Sequence, residues 1–200
     1  SSIFVSFTSF KNVLFVSCIW WIVATVAVYF YPKGKKLWSN NIVNPIVGIL
    51  TLVPAWTAFN FLLTNKNLGA IWLLFVLFMV FSADIGAYFF GRKWGKRKLA
   101  PNLSPGKTLE GVVGAFVFVA VLVMAAHFFV EDVKGRSLLE LLIIGGVVTF
   151  ISIIGDLLES MFKRIKGVKD SGAIFPGHGG ALDRMDSMFA ALPFFAFLLS

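Results

Sequence analysis

Two aspartates stand where a charged side chain is costly. Asp84, in "FSADIGAYFFG", and Asp156, in "SIIGDLLESMFKR", each fall inside a long apolar run. An ionised carboxylate in hydrocarbon is unstable unless paired or hydrated, so an acid in such a run is first a functional hypothesis. Asp156 has company on its helix face. Ser160 and Lys163 follow at i+4 and i+7, so a carboxylate, a hydroxyl and an ammonium share one side. Glu159 is expected to point elsewhere, as an interfacial charge. Further on, Asp183 and Asp186 are three residues apart and share a face if that segment is helical. Asp156, Asp183, Asp186 and the Ser160 hydroxyl would make a hard, oxygen-rich site. Mg²⁺ suits it best, and no cysteine cluster competes.

Cations crowd the same regions. Lys163, Arg164, Lys166, Lys169 and Arg184 surround these acids, while Lys96, Arg97, Lys98 and Lys107 fill a second polar segment. Acids holding a divalent ion amid many cations are an arrangement that binds polyphosphate. Membrane topology and lipid headgroups explain the number of cations but not the aspartates interleaved among them. Gly177, Gly179 and Gly180 would let backbone approach a ligand and turn N–H groups toward phosphate. His178 is read as a phosphate contact or a structural donor rather than as a base.

The elements that must position these residues are membrane spans. The 200-residue chain is 58% hydrophobic and 14% charged, against roughly 25% charged in ordinary soluble domains. Five stretches reach the length of about 20 residues that a helix needs to cross a hydrocarbon core: Val13–Tyr31, Ile42–Thr64, Gly69–Gly91, Gly111–Val130 and Leu138–Leu158. A sixth begins near Ser187 and is cut short at Ser200. None has the alternating pattern of a barrel strand. The expected fold is therefore all-α, a polytopic integral membrane bundle of about six helices. It divides into N-terminal helices over 1–68 and a second membrane domain over 69–200 that carries the candidate residues, with loops 92–110 and 159–186. Pro45 and Pro54 are expected to bend the second span or mark its ends.

Charge orders the connections. Lys33, Lys35 and Lys36 follow span one; Arg92, Lys93, Lys96, Arg97, Lys98 and Lys107 follow span three; Lys163, Arg164, Lys166, Lys169 and Arg184 follow span five. The opposite side holds Lys11, Lys66, Lys134 and Arg136. The positive-inside rule sends the three rich loops to the cytoplasm. The net charge of +8 thus reflects topology, and no nucleic-acid partner is expected. Cys18, the single cysteine, reads as a packing residue, and His127 as interfacial on the far side. "SPGKTLEG" carries Gly106-Lys107-Thr108, but Pro101 stands where a Walker A loop needs its first glycine.

Together these residues resemble a known signature. "SMFKRIKGVKDSGAIFPGHGGALDRMD" resembles that of the phosphatidate cytidylyltransferase (CDP-diacylglycerol synthase) family: S-x-x-K-R, then K-D, then P-x-H-G-G, then D-R-x-D. Upstream, "SADIGAYFFGRKWGKRKLAPNLSPGKTLEG" resembles its D-x-x-A-Y…S-P-x-K-T-x-E-G stretch. The likeness runs from about Ile71 to Ser200. Ala181 departs from it, replacing a larger aliphatic residue. The family is usually longer at its N-terminus, so a fragment of a longer membrane protein is expected.

The resemblance implies CMP transfer from CTP to phosphatidate, with release of pyrophosphate, at the cytoplasmic face of a bacterial inner membrane. It implies catalytic roles for Asp156, Lys163, Asp183 and Asp186. Substrate contacts would come from Ser160, Arg164, Lys169, Asp170, His178, Gly179, Gly180, Arg184, Lys107 and Asp84. Asp156, Asp183, Asp186 and Ser160 would hold Mg²⁺, and three carboxylates leave room for a second cation. The partners are CTP, phosphatidate and the bilayer; the residues neither require nor forbid a homo-oligomer. The rival reading, a cation-coupled transporter, expects acids at mid-membrane on broken helices. Here they gather toward one face.

Overall fold

The computed structural model describes residues 7–65, 69–172 and 180–200. Eight helices and one hairpin are described: α1 (Phe7–Tyr29), α2 (Lys35–Trp38), α3 (Val43–Thr64), α4 (Gly69–Trp94), β1 (Lys98–Ala100), β2 (Ser104–Thr108), α5 (Leu109–Phe129), α6 (Glu131–Lys134), α7 (Leu138–Lys166) and α8 (Leu182–Leu199). Five of them, α1, α3, α4, α5 and α7, are long and apolar enough to cross a membrane. Their outward faces carry large exposed apolar side chains, among them Phe15, Ile22, Trp56, Phe78 and Val113. Water would not tolerate so much apolar surface on a monomer, whereas lipid does. α8 runs beside them for 18 residues and carries the sixth apolar stretch.

Two expectations about the connections need correction. The segment 92–110 is not an open loop: Lys98 pairs with Thr108 and Ala100 with Ser104 in an antiparallel hairpin. The segment 159–186 is helical for its first two turns, because α7 continues to Lys166 beyond its apolar part. The reason is capping. Ser137 accepts the Glu140 N–H at 3.2 Å at the start of α7. At the other end Gly167 adopts φ 70°, and the Val168 N–H reaches back to the Lys163 carbonyl at 3.0 Å. That left-handed stop lies after the charged residues, not before them. Pro45 sits in the first turn of α3, where its missing N–H leaves no bond unmade, while Pro54 lies inside the helix.

Core packing joins the N-terminal helices to the rest. Leu14 of α1 and Leu62 of α3 share one buried cluster with Met79, Val123, Leu141, Val148 and Phe195. A second cluster lies toward the polar end, where Trp21 and Ala24 meet Leu157, Leu158, Met161 and Ala190, with Leu103 of the hairpin. The α4–α5 crossing is set by glycines. A Cβ on Gly86 would come within 2.8 Å of the Gly114 carbonyl carbon and of Phe118 Cβ, and one on Gly114 within 2.5 Å of Phe90. The two backbones touch, which leaves no room for a side chain on either.

Candidate active site

Four elements deliver side chains to one polar region: α4, α7, the start of α8 and the hairpin. The α7–α8 contact sets the spacing. A Cβ on Gly155 would meet the Asp186 carbonyl oxygen at 2.7 Å and Ala190 Cβ at 2.8 Å. The residue after this bare point is Asp156, and the backbone it touches belongs to Asp186. The two acids are neighbours because glycine lets the helices close.

The hairpin brings the cation. Thr108 ends β2 and caps α5, its hydroxyl accepting the Gly111 N–H at 3.1 Å. Glu110 accepts the Lys96 and Arg97 N–H groups at 3.0 and 3.2 Å, fixing the strand that pairs with β2. Leu103, 2% exposed, plugs the turn into the core, and Arg164 Nε donates to its carbonyl at 3.1 Å. Held at these points, β2 aims Lys107 into an ion pair with Asp156. Asp156 thus takes its cation from the hairpin, although Lys163 stands on the same broad face of α7. Ser160 stays close, its Oγ 3.4 Å from Asp156 Oδ1, a weak contact at that length.

Lys163 turns the other way. Its Nζ lies 2.7 Å from Asp183 Oδ1 and 3.2 Å from Glu159 Oε2. Glu159 therefore does not point elsewhere. Its side chain is 15% exposed, it lies within hydrogen-bonding reach of Asp186, and its Oε1 finds no donor among the described residues. Positions i and i+3 are neighbours on a helix, so the residue three after Asp156 shares its broad face. That spacing was the signal available in the sequence for Glu159.

Asp183 and Asp186 do share α8, as their spacing requires, but they do different things. Asp183 Oδ2 accepts the Ser171 N–H at 2.9 Å, the Ser171 hydroxyl at 2.8 Å and the Gly180 N–H at 2.7 Å. With Lys163 on its other oxygen, this carboxylate is fully engaged. Asp183 precedes the apolar stretch of α8. Burial pushes its carboxyl up, but the Lys163 ammonium and the Gly180 and Ser171 donors outweigh that and hold it well below the usual carboxylate range. Asp186 Oδ1 accepts its neighbour's Ser187 N–H at 2.7 Å, and its carboxylate faces Glu159.

Asp84 lines a cavity of about 220 Å³ together with Tyr88, Lys107, Thr108, Asp156 and Ser187. On the other side of α7 a larger cavity of about 500 Å³ is lined by Glu159, Lys163, Lys166, Asp170, Ser171 and Asp186. Apolar side chains from α1, α3, α7 and α8 complete it. Arg184 is exposed in the first turn of α8, and Lys169 and Asp170 are exposed beyond α7. Gly180 is described; Gly177, His178 and Gly179 lie outside the described residues. Among the described residues, no three His, Cys, Asp or Glu side chains form a ready-made metal cage.

The sequence model of the cytidylyltransferase family matches residues 2–200. The chain belongs to that family. The match takes in α1 and α3, which the motif resemblance had left out. Among its relatives, a Pseudomonas aeruginosa protein is 46% identical over 187 residues, covering 94% of this chain and 68% of the relative. One from Haemophilus influenzae is 44% identical over 189 residues, covering 89% and 65%. One from Bacillus subtilis is 38% identical over 183 residues, covering 89% and 67%. Each is named phosphatidate cytidylyltransferase. The chain thus spans about two thirds of the length of these cytidylyltransferases.

Proposed function

We propose that this cytidylyltransferase transfers CMP from CTP to phosphatidate at the cytoplasmic face of a bacterial inner membrane. The observation that carries this reading is the meeting of Asp156 and Asp186 between a small cavity that holds Asp84 and Lys107 and a larger amphipathic one. A reaction between a water-soluble nucleotide and a membrane lipid needs a boundary of that kind.

The chemistry asks little of a side-chain nucleophile. A phosphate oxygen of phosphatidate, already anionic near neutral pH, attacks the α-phosphorus of CTP. The new P–O bond forms as the bond to the β-phosphate oxygen breaks, and pyrophosphate carries away the electron pair. Catalysis then consists of positioning and of neutralising charge on the α-phosphoryl group and the leaving group. Lys163 and Arg184 are suited to contact phosphate, with Lys169 and the Gly177–Gly180 backbone nearby in sequence. Arg164 divides its guanidinium between the Leu103 carbonyl and solvent, which favours a bracing role for it.

The donor set fits Mg²⁺. This ion commonly takes one or two protein carboxylates and completes its shell with phosphate oxygens and water, so the absence of a three-acid cage among the described residues is no obstacle. Asp156 and Asp186 are the carboxylates we assign, with the Ser160 hydroxyl and Glu159 beside them. Asp183, which sequence spacing put in the same set, is given the task of fixing Lys163 and the Ser171–Gly180 neck. When bound, Mg²⁺ would supply Lewis-acid polarisation of the phosphates and charge neutralisation; a second cation remains part of the proposal. Lys107, paired with Asp156, supplies positive charge there and would move to phosphate when substrate arrives.

The test is an assay of the full-length protein in detergent with labelled CTP, dioleoyl phosphatidate and Mg²⁺. Lipid-linked CMP is expected, and its absence at every Mg²⁺ concentration overturns the function. Transport is the less favoured reading because the acids gather at one end of the bundle, among the hairpin and helix ends.

A further inference from the structure

The larger cavity has a feature the nucleotidyl-transfer chemistry does not use. Its far wall is built by α1 and α3, through Trp21, Asn44, Gly48 and Thr51. Trp21 is 1% exposed, yet its Nε1–H has no acceptor among the described residues, and Asn44 Oδ1 has no donor. A buried polar group without a partner is costly, so two of them on one cavity wall point to a polar guest. The neighbouring Thr51 hydroxyl is already committed to the Trp20 Nε1–H at 3.2 Å.

The guest's character can be read along the cavity. At one end lie Lys163 and Lys166, and Lys166 makes no ion pair among the described residues. The orphaned Asn44 amide stands in the first turn of α3, at that same end, and the orphaned Trp21 indole lies deeper, next to the Trp20–Thr51 bond. Beside the indole are apolar side chains, including Leu52, which is also 43% exposed on the outer face of the membrane helix α3. Anion, then neutral polar groups, then hydrocarbon open to the bilayer is the order of groups along a glycerophospholipid.

We infer that this cavity is the binding site for the lipid substrate, with its glycerol-ester region against α1 and α3. The inference rests on the proposed function and deepens it: the phosphate lies toward Lys166 and Asp186, and the Trp21 N–H donates to an ester carbonyl. The Asn44 amide, turned about its last torsion, offers its NH₂ nearer the phosphate end. Gly48 forms part of the wall because a larger residue would fill the lipid's space. A Cβ there meets nothing within 4 Å, so the space is open in the protein itself.

That openness gives a clean test. Gly48→Leu adds bulk where the fold has room and replaces the poorer helix former, so the protein is expected to fold. Full-length wild type, Gly48→Leu and Trp21→Phe are compared in mixed micelles, varying dioleoyl phosphatidate and CTP separately. Retention of dioleoyl phosphatidate without CTP is measured in parallel by native mass spectrometry. Gly48→Leu is expected to raise the KM for phosphatidate about tenfold or more and to abolish retention. Trp21→Phe, which keeps an aromatic ring but loses the N–H donor and part of the indole's volume, should raise that KM about fivefold. The KM for CTP should stay within about twofold in both. Unchanged phosphatidate KM and retention in Gly48→Leu overturn the site, as does a rise in the CTP KM alone. Wild type that retains phosphatidate in a Gly48-dependent way but makes no CDP-lipid leaves the site standing and removes the reaction.

Discussion

The two cavities on either side of α7 differ in size, lining and state of charge. The smaller, about 220 Å³, has a cation set against its acid, since Lys107 is paired with Asp156. The larger, about 500 Å³, has Glu159 and Asp186 close together. Lys163 serves Glu159, and its other partner is Asp183, not Asp186. The smaller cavity adds Asp84 to that pair, so one lysine faces two acids, while the larger sets Lys163 and Lys166 among Glu159, Asp170 and Asp186. The difference teaches where the cations come from: the hairpin supplies the one on the first side, and the polar end of α7 supplies those on the second.

The strongest way to break this comparison is to remove either acid. Asp156→Asn and Asp186→Asn are each expected to lower CMP transfer by about 10²–10³-fold or more, the scale on which lost transition-state charge stabilisation is felt. Equal losses would mark one site shared by both cavities. Wild-type turnover in either variant, measured with labelled CTP, overturns the metal assignment. Chelation with EDTA should likewise stop product formation, and added Mg²⁺ should restore it.

Structural separation of the acids should come next in size. Gly155→Val would force α7 from α8 at the Asp186 carbonyl and Ala190, and overpacking of this kind typically costs about 1–3 kcal/mol. A lowered thermal midpoint in detergent together with lost turnover is expected. Lys107→Gln tests the smaller cavity. Turnover should fall about tenfold for loss of a charge-assisted phosphate contact. Half-saturation by Mg²⁺ should shift to lower concentration, because a competing ammonium has left Asp156. A shift to higher concentration would argue that Lys107 organises the acid and does not compete for it. The smallest effect belongs to Gly48→Ala, which meets no neighbour and should raise stability by up to about 1 kcal/mol. Set against Gly155→Val, it separates a glycine that permits contact from one that preserves a space.

Much of the architecture was legible along the chain. Hydrocarbon imposes length and apolarity on anything that crosses it, so the five long helices fall close to the expected spans. Helical spacing was enough to place Asp183 and Asp186 together on α8, and Asp84 in an apolar run was enough to mark a cavity lining. The hairpin was less legible. Its register depends on Glu110 binding two N–H groups, on the buried Leu103 and on the Arg164–Leu103 bond, contacts that no periodicity announces. Glu159 was misread because a helical wheel cannot say which neighbour packs against which side of a broad polar face.

What the sequence determined by itself was therefore the class of fold and the family. These follow from local properties: apolar length, residue chemistry and spacing along one helix. Only the tertiary structure decided partnership. Lys107 rather than Lys163 meets Asp156, Asp183 holds Ser171 and Gly180, and Trp21 with Asn44 faces the larger cavity. The physical reason is that charge and hydrogen bonding act over a few ångströms, between elements whose distance in sequence says nothing about their distance in space. Gly155 illustrates both halves: its identity is local, but its effect exists only because α8 lies against it.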